Sequence, residues 1–478
     1  MRDRLTSAYS KLPVGLQNAV FTTWGAAIRR QRYGRSFRDR LASLKETEWW
    51  SAGEIQAYQH EQLQTMLRHA YDTSRGYRAH LMEAGVTPDD VRTTDDLKKL
   101  PILTKERVRK DPLAFVSQSY DVRRLRQNLT SGTTGTPLTV YLTSEGLQFQ
   151  LAVWWRHRAR FGLKLGDPFL MFGARLPVLG GEDAWPIWRT NRSINQTYLS
   201  TYHLSPRTTP AVVDWLNTQE FAFYTGYPSA MYAFARYIND SGCELTKFPR
   251  HIVCGSDALL PMFEPSIGAA FNAPVTDQYG FAEACGNMAR CEFGKYHVDA
   301  EFCLVEAVPI DPAQPRVCRL IFTGFANPAM PFIRYDVGDY GLLSEEPCRC
   351  GRASLTFDRI EGRTEDFVRT RDGRLVVGMN QALEWAPNLV EAQIRQESFD
   401  RLMVLVVPGA AYGGEDEKIL ERQIRLRVGN DMAIEFRQVA SIPRAANGKF
   451  RAVVSVLGGE TAEEASLQRA VREGVFDD

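Results

Sequence analysis

The 478-residue sequence has no apolar run of the ~18 residues that a membrane-spanning helix needs. It also has no marked excess of one charge, with 58 Lys and Arg against 57 Asp and Glu, so a general attraction to nucleic acid or anionic lipid is not indicated. A clean secretory pattern is absent, because the apolar stretch 12–28 is interrupted by polar residues and followed by Arg29 and Arg30. We expect this stretch to pack as a helix on the main domain, in preference to lying on a membrane surface.

Several functional signatures are also missing. No Gly-x-Ser-x-Gly or His-Glu-x-x-His pattern supports a hydrolase, no base-specific nucleic-acid module is present, and there is no internal repeat. The eight cysteines lack a regular overall spacing, which indicates a reducing compartment instead of a disulfide scaffold. We therefore expect a cytoplasmic protein that binds small molecules and no nucleic acid. The sequence does not decide the oligomeric state, and a homodimer is one alternative, since dimers are the commonest association.

What the sequence contains is typical of two or three packed domains. Hydrophobic residues make up 44% and aromatics 11% of the chain. Residues 1–120 have helical periodicity, and apolar strand-like runs such as 169–172 and 251–254 then alternate with amphipathic helices up to about 345. We predict an α/β fold with a large layered N-terminal domain, 1–361, and a smaller mobile α+β domain, 362–478. In the smaller domain the pattern predicts strands at 392–396, 402–407 and 434–439 and a helix at 415–428.

A loop rich in glycine and hydroxyls provides the first indication of chemistry. Thr130 opens it, Ser131, Gly132, Thr133, Thr134 and Gly135 form it, and the strand-like run 138–142 follows. Glycines let several N–H groups point inward, so such a loop can hold phosphate oxygens, although a surface turn is the alternative. No Gly-Lys pair closes it as in the common nucleotide loop. A lysine far downstream, Lys449, lies on a polar loop of the small domain, and could complete a site on domain closure.

Two further segments carry candidate ligands. Tyr279 and Gly280 follow a short apolar run, where an aromatic ring can stack on a flat base, and Glu283 can bind Mg²⁺. Asp339 follows a glycine at a turn and suits paired sugar hydroxyls. The alternatives are a core tyrosine, a solvated glutamate and an ordinary Asp-rich turn.

Four residues form the strongest metal signal in the sequence: Cys291, His297, Cys348 and Cys350. Three thiolates and one imidazole make a closed tetrahedral zinc set, and both segments look like polar, glycine-flanked loops that a metal would connect. Unlinked reduced side chains are the alternative. The other five cysteines lie in mostly apolar or helical contexts and are interpreted as packing residues.

Two aromatic residues have an undecided role. Trp154 can line an acyl pocket or be buried in the core, and the role of Tyr227 is left open in the same way.

Taken in order, the segments resemble the AMP-forming adenylating superfamily, and within it the phenylacetate–coenzyme A ligase family. The similar segments are SGTTGTP at 131–137, GYPS at 226–229, GSD at 255–257, YGFAE at 279–283, RYDVGD at 334–339, EGRTED at 361–366 and PRAANGK at 443–449. The Cys/His set is similar to the zinc site of one branch of that family, whose members often belong to polysaccharide-related gene clusters.

The resemblance implies activation of a carboxylic acid by ATP and Mg²⁺, followed by thioester formation with coenzyme A. It assigns phosphates to the 131–135 loop, Mg²⁺ to Glu283 and ribose to Asp339, with Lys449 bridging phosphate and carboxylate oxygens. The further residues that it assigns are Gly255, Ser256, Asp257, Tyr279, Gly280 and Arg363 for the nucleotide, Glu365 for the hinge, and Gly226, Tyr227 and Trp154 for the acyl pocket.

The sequence departs from the family pattern at four positions: Thr136 stands for a frequent lysine, Ala282 for a hydroxyl residue, Val337 for a threonine and Glu365 for an aspartate. The Ala282 change removes a possible phosphate contact and leaves a non-catalytic nucleotide-binding relative as one hypothesis. Another hypothesis keeps adenylation but transfers the acyl group, or AMP, to an amine or a sugar hydroxyl. The acid itself is not specified by the sequence.

Overall fold

The computed structural model describes residues 9, 11–130, 138–173, 178, 185–259, 261, 263–311, 314–361, 368–376, 379–383, 385–386, 388–409, 411–440, 442 and 452–457. Several sequence-predicted residues lie outside the described residues, namely Ser131, Gly132, Thr133, Thr134, Gly135, Arg363, Glu365 and Lys449.

The helices of the described part are α1 Val14–Arg32, α2 Arg35–Thr47, α3 Ala52–Thr73, α4 Arg75–Glu83, α5 Lys105–Lys110, α6 Ser144–Arg160, α7 Thr209–Leu216, α8 Pro228–Ser241, α9 Phe263–Phe271, α10 Asn380–Leu383 and α11 Gly414–Val428. The strands are β1 Leu103–Thr104, β2 Arg126–Leu129, β3 Thr139–Leu142, β4 Phe169–Gly173, β5 Trp188–Asn191, β6 Gln196–Ser200, β7 Phe223–Gly226, β8 His251–Gly255, β9 Val275–Gly280, β10 Asn287–Arg290, β11 Tyr296–Val298, β12 Cys303–Asp311, β13 Gln314–Gly324, β14 Tyr335–Leu343, β15 Thr356–Glu361, β16 Val368–Arg369, β17 Leu375–Val376, β18 Leu389–Ser398, β19 Arg401–Pro408, β20 Ala433–Gln438 and β21 Val453–Ser455. The predicted mixed α/β fold is confirmed. No helix of the described ranges is both long and apolar enough to cross a membrane.

Local sequence signals explain where the N-terminal helices begin. Ser51 and Glu54 form a reciprocal capping box at the start of α3, with the Ser51 N–H donating to Glu54 Oε2 over 2.8 Å. Thr104 caps α5 by accepting from the Arg107 N–H over 3.3 Å. Both caps satisfy backbone N–H groups that the start of a helix leaves unpaired. The starts of α3 and α5 therefore follow from these capping side chains.

A 13-stranded sheet forms the centre of the large domain. Its strand order is β12-β13-β14-β15-β11-β10-β9-β8-β7-β4-β6-β5, and β1 pairs with β14. One half of the sheet is parallel and contains, in spatial order, β6, β4, β7, β8 and β9. Beyond β9 the sheet continues through β10, β11, β15 and β14 by antiparallel pairs. The parallel strands read as continuous apolar runs because helices such as α8 and α9 cover them.

The C-terminal unit has its own four-stranded sheet, in the order β20-β19-β18-β21, with α11 packed in its core. All four elements predicted there from the sequence are present. Tyr202 of the large domain is 1% exposed and belongs to the buried core of this smaller unit. The Tyr202 hydroxyl accepts from Arg427 Nε over 3.1 Å, and its carbonyl accepts from Arg374 Nη1 over 2.9 Å. The two domains are therefore joined by a buried aromatic side chain and two arginines.

Candidate nucleotide site and Cys/His cluster

Three sequence-predicted segments meet at one edge of the sheet, the carboxyl ends of β7, β8 and β9. Gly226 is the register partner of Cys254, and Gly255 is the partner of Gln278, so the ends of the three strands are level. Gly226 and Tyr227, then Gly255 to Asp257, then Tyr279 and Gly280 leave the sheet at this edge. Ligand sites of parallel α/β sheets form at such carboxyl ends.

The backbone at this edge is constrained. Gly226 has φ +134°, and a Cβ added there would lie 2.0 Å from the Phe172 carbonyl oxygen, so no other residue fits. Ser256 has φ +80°, an unfavourable conformation for a residue with a side chain. Strain of this kind persists where the surrounding structure imposes it, and it is concentrated at functional sites.

Asp257 lies against the first turn of α8. Its carboxylate oxygen Oδ2 accepts a short hydrogen bond from the Ser229 hydroxyl, and Oδ1 is buried without a hydrogen-bond partner among the described residues. Burial raises the pKa of Asp257 to about 8; the Ser229 hydroxyl opposes the rise and the nearby Asp277 carboxyl adds to it. The carboxyl is therefore mostly protonated at neutral pH, so it can donate as well as accept a hydrogen bond.

Asp277, on β9, has a similar environment. It is 5% exposed, its Oδ2 accepts from the Tyr296 hydroxyl over 2.8 Å, and its Oδ1 has no partner in the described part of the chain. Burial raises the pKa of Asp277 to about 6, against the opposing hydrogen bond from Tyr296. Two interacting carboxyls thus lie behind the strand-end edge, each with one unsatisfied oxygen, and buried polar atoms of this kind usually have a partner.

Two tyrosine–carboxylate pairs bring the 279–283 and 334–339 segments together. The Tyr279 hydroxyl donates to Asp339 Oδ2 over 2.7 Å, and the Tyr335 hydroxyl donates to Glu283 Oε1 over 2.9 Å. Asp339 is 5% and Glu283 2% exposed. The ring of Tyr279 stacks on Phe322 at a centroid distance of 6.1 Å, which fixes its plane. Residues about sixty positions apart are therefore joined by direct hydrogen bonds, as one site requires.

Asn287 holds the 279–283 segment from behind. Its Oδ1 accepts from Trp154 Nε1 over 3.0 Å and from Gln278 Nε2 over 3.2 Å, while its Nδ2 donates to Asp299. A Cβ on Gly280 would lie 2.9 Å from the same Oδ1, so glycine permits this close approach. The indole N–H of Trp154 is thus used in positioning this segment, and its part in an acyl pocket stays a prediction.

The predicted phosphate loop is anchored at both ends. Strands β2 and β3 pair antiparallel on either side of residues 131–137. The Thr130 N–H donates to the Leu138 carbonyl over 3.0 Å, and the Leu138 N–H donates to Thr130 Oγ1 over 2.9 Å. The loop itself lies outside the described residues, but its two ends are held together as a hairpin.

The four residues of the predicted metal set converge. One ligand atom from each of Cys291, His297, Cys348 and Cys350 lies within 4.8 Å of the others. Cys291 Sγ is 3.5 Å from Cys348 Sγ, and Cys350 Sγ is 3.3 Å from His297 Nε2. These separations suit ligands at ~2.0–2.3 Å around one tetrahedral ion, and three sulfurs with one imidazole are the donors of closed structural zinc sites.

One part of the sequence interpretation was wrong, because the cluster is not built on loops alone. Cys291 ends the β10 side of a hairpin, and His297 lies on β11, which pairs with both β10 and β15. Burial, with Arg160 and Arg352 adding to it, lowers the pKa of His297 to about 3, so its imidazole is neutral as a ligand must be. The other ring nitrogen, Nδ1, lies 3.3 Å from Ser354 Oγ, a typical outer partner that orients a ligating histidine.

Arg352 connects the cluster to the N-terminal helices. Its Nε donates to Glu48 over 2.6 Å, its Nη1 pairs with Glu292 at 3.2 Å, and its guanidinium lies 4.9 Å from the Trp49 ring centroid. Glu48 also pairs with Arg160 of α6 at 2.8 Å. Sequence patterns did not identify this network because its members lie far apart in the chain: Glu48 is 304 positions from Arg352 and 112 positions from Arg160. They also did not identify Tyr335, Asp277, Asn287 or Tyr202, although Tyr335 lies within the RYDVGD segment.

Comparisons with known proteins agree with this geometry. A family model described as the CapK C-terminal domain matches residues 368–456. Protein CapK of Staphylococcus aureus is 24% identical over 456 residues, covering 94% of this chain and 99% of that protein. A phenylacetate–coenzyme A ligase of Escherichia coli strain K12 is 37% identical over 357 residues, covering 69% of this chain and 75% of that enzyme.

The fold has a solved counterpart. The crystal structure of 2-hydroxyisobutyryl-CoA ligase in complex with 2-HIB-AMP and CoA has a TM-score of 0.55 and 19% sequence identity, covering 89% of this chain and 94% of that one. At this identity the likeness concerns the fold alone. The order of the segments in the sequence, the convergence of those that the structure describes and the identity to the Escherichia coli enzyme lead to one conclusion: this chain belongs to the phenylacetate–coenzyme A ligase family of AMP-forming adenylating proteins.

Proposed function

We propose that the protein activates a carboxylic acid with ATP, forms an acyl adenylate and pyrophosphate, and then transfers the acyl group to coenzyme A. The observation that carries the proposal is the pair of tyrosine–carboxylate contacts, Tyr279 to Asp339 and Tyr335 to Glu283. The first contact joins Tyr279, the candidate residue for base stacking, to the candidate ligand carboxylate of Asp339. The second orients the other candidate ligand carboxylate, that of Glu283. Family membership and the phenylacetate–coenzyme A ligases among the relatives support the same reaction.

In the proposed first step a substrate carboxylate attacks the α-phosphate of ATP. Negative charge accumulates on the α-phosphoryl oxygens, so the main contributions of the protein are placement and electrostatic stabilisation. Asp339 is proposed to accept the ribose hydroxyls, and Tyr279 with the 255–257 segment to contact adenine. The 131–135 loop and Lys449 are proposed for the phosphates and Arg363 for the nucleotide. Glu365 is proposed for the hinge on which the 362–478 domain turns over the 1–361 domain.

Glu283 is the proposed residue for Mg²⁺. Its carboxylate is almost fully buried, and one oxygen is oriented by the Tyr335 hydroxyl. Mg²⁺ is usually bound by one or two carboxylates together with substrate phosphates, and this donor chemistry fits. The ion supplies charge compensation for phosphate oxygens when it is bound.

For the Cys/His cluster we propose a structural zinc ion held by Cys291, His297, Cys348 and Cys350. Four protein ligands leave no open position for a substrate, so the proposed contribution is to stability. The carboxylic acid is proposed to enter between the β7 end, at Gly226 and Tyr227, and the nucleotide. Pyrophosphate exchange with a panel of carboxylic acids identifies the substrate acid.

Pyrophosphate exchange into ATP, measured with a panel of carboxylic acids, tests the first half of the proposal. We expect exchange that depends on one class of acid and is lost in Lys449→Ala, by at least about 100-fold in rate. The absence of exchange with every acid, in protein that still binds ATP, would contradict adenylation and favour a nucleotide-binding relative.

The acceptor is tested by AMP release with the acid identified in this way. We expect coenzyme A to stimulate AMP formation and an acyl thioester to appear in mass spectrometry. AMP formation that needs an amine or a sugar hydroxyl, and ignores coenzyme A, would replace the second half of the proposal while retaining the first.

A further inference from the structure

Helix α1 packs on the large domain through a mixed side, on which Phe21 lies edge-on to Tyr198 and polar side chains make hydrogen bonds. Its Gln17 Oε1 accepts from Arg189 Nε over 2.6 Å, and its Asn18 Oδ1 accepts from the Thr190 N–H over 2.9 Å. Gly25 is buried against Asn191, where even a Cβ would collide. These contacts with β5 determine which side of the helix faces inward.

The opposite side of α1 is apolar and exposed. Leu16, Val20 and Trp24 are 53%, 47% and 58% exposed, and they follow one another at a spacing of four residues. Ala19 and Ala27 extend the same stripe, and Leu12 begins it just before the helix. Soluble domains normally bury an apolar stripe of this kind, whereas this one faces outward. The polar contacts to β5 prevent the helix from rolling to hide it.

The charge along the chain around the stripe is of one sign up to Arg38, and Asp39 just beyond it pairs with Arg35. Residues 11–38 contain six basic residues and no acidic residue: Lys11, Arg29, Arg30, Arg32, Arg35 and Arg38. The whole chain has a formal net charge of +1, so the remainder carries −5. The balanced overall composition therefore conceals a local positive segment. Arg29, Arg30 and Arg32 form the last turn of α1, directly beyond the exposed Trp24 and Ala27.

We propose that the exposed side of α1 docks on an anionic lipid surface. A tryptophan with aliphatic neighbours suits the boundary between headgroups and acyl chains, and arginines at the edge of such a stripe reach the headgroup phosphates. A second copy of the chain is a poorer occupant, because it would bring one positive segment against another. The helix lies in the plane of the lipid surface in this arrangement and does not cross it.

Flotation of the full-length protein with lipid vesicles tests the proposal. We expect binding to phosphatidylcholine vesicles that contain phosphatidylglycerol, weaker binding to phosphatidylcholine alone, and release at high salt. The triple variant Leu16→Ser, Val20→Ser, Trp24→Ser should lower partitioning by at least about tenfold, because it removes the side chains that would enter the lipid boundary. Arg29→Gln with Arg30→Gln should reduce the preference for the anionic vesicles.

A matched control changes three other exposed apolar side chains, 63%, 50% and 41% exposed, namely Met82→Ser, Leu113→Ser and Phe248→Ser. This variant should bind vesicles as the wild type does, and all variants should retain their thermal unfolding temperature. Equal vesicle binding by the α1 variant and the control, or no vesicle binding by the wild type, would overturn the proposal. A dimer that dissociates in the α1 variant, without any vesicle binding, would assign the stripe to a second copy instead. None of these readouts depends on the proposed enzymatic activity.

Discussion

The strand-end edge and the Cys/His cluster both gather polar side chains from distant parts of the chain, but they differ in how the buried groups are satisfied. At the edge, Asp257 and Asp277 each keep one buried oxygen without a partner in the described ranges. In the cluster, sulfur and nitrogen atoms face one another within 4.8 Å, and Arg352 connects the surroundings to Glu48 and Glu292. On the proposed function, the first region meets a ligand that comes and goes, and the second encloses an ion permanently. Substitutions should therefore reduce activity in the first and stability in the second.

The largest effect is expected from Glu283→Gln. The amide keeps an oxygen that can accept from the Tyr335 hydroxyl but removes the charge, so folding should change little. Acid-dependent pyrophosphate exchange should fall by roughly 100-fold to 1,000-fold, the scale found for removal of one electrostatic group from a reaction site. Tyr335→Phe, which keeps the charge, should have a smaller effect. Exchange at the wild-type rate in Glu283→Gln would remove Glu283 from the proposed chemistry.

Cys348→Ser should have the next largest effect, on stability. We expect zinc content to fall from about one ion per chain to near zero and the free energy of unfolding to fall by about 2–4 kcal/mol, because a closed metal site stabilises the folded state. Exchange activity should persist at temperatures where the variant is folded. Cys318→Ser, at a buried cysteine outside the cluster, is the control and should retain the metal. Equal metal contents in the two variants would contradict the four-ligand set.

A third test uses pH at the strand-end edge. Burial raises the folded-state pKa of Asp257 to about 8, above the value near 4 of an unfolded chain. Between these values the folded protein holds one proton more, so this group makes the free energy of unfolding fall as pH rises from about 4 to about 8. Asp257→Asn cannot ionise, and its stability relative to wild type should increase with pH in this window. Urea unfolding at several pH values measures the difference; a constant difference would mean that Asp257 is not buried as described.

Arg352→Lys should give the smallest effect of the four. Lysine loses the forked contacts to Glu48 and Glu292 and the stacking on Trp49, which together are worth about 1–2 kcal/mol of unfolding free energy. Zinc content and exchange activity should be unchanged, and thermal unfolding measures the loss. A loss of metal in this variant would mean that Arg352 holds the ligands in place, and not merely the surrounding helices.

The sequence predicted the features that depend on local pattern. Strand β8 and helix α11 were predicted from apolar runs and periodicity. The metal set followed from residue type, because three thiols and an imidazole have few other uses together. His297 was assigned to a loop because three residues are too few for a strand pattern, and its strand is determined by pairing with β10 and β15.

Contacts between distant segments were beyond sequence reasoning. Nothing in the residues around Asn287 indicates that its side chain bonds both Trp154 and Gln278, and nothing around Gln17 indicates that α1 exposes an apolar stripe. Such contacts depend on which surfaces the fold brings together, and one sequence does not contain that information in local form. The expectation that α1 packs on the main domain was confirmed, while the exposure of its apolar side was not foreseen.

The position of Tyr202 limits how the C-terminal unit can move. A rotation that carries this unit away must withdraw a whole tyrosine ring from its interior, leave a ring-sized hole and remove one oxygen acceptor from each of two arginines. A partly rotated unit would lose these contacts without forming new ones in their place. If the unit turns on the proposed hinge, we therefore expect it to move between distinct positions and not to drift continuously.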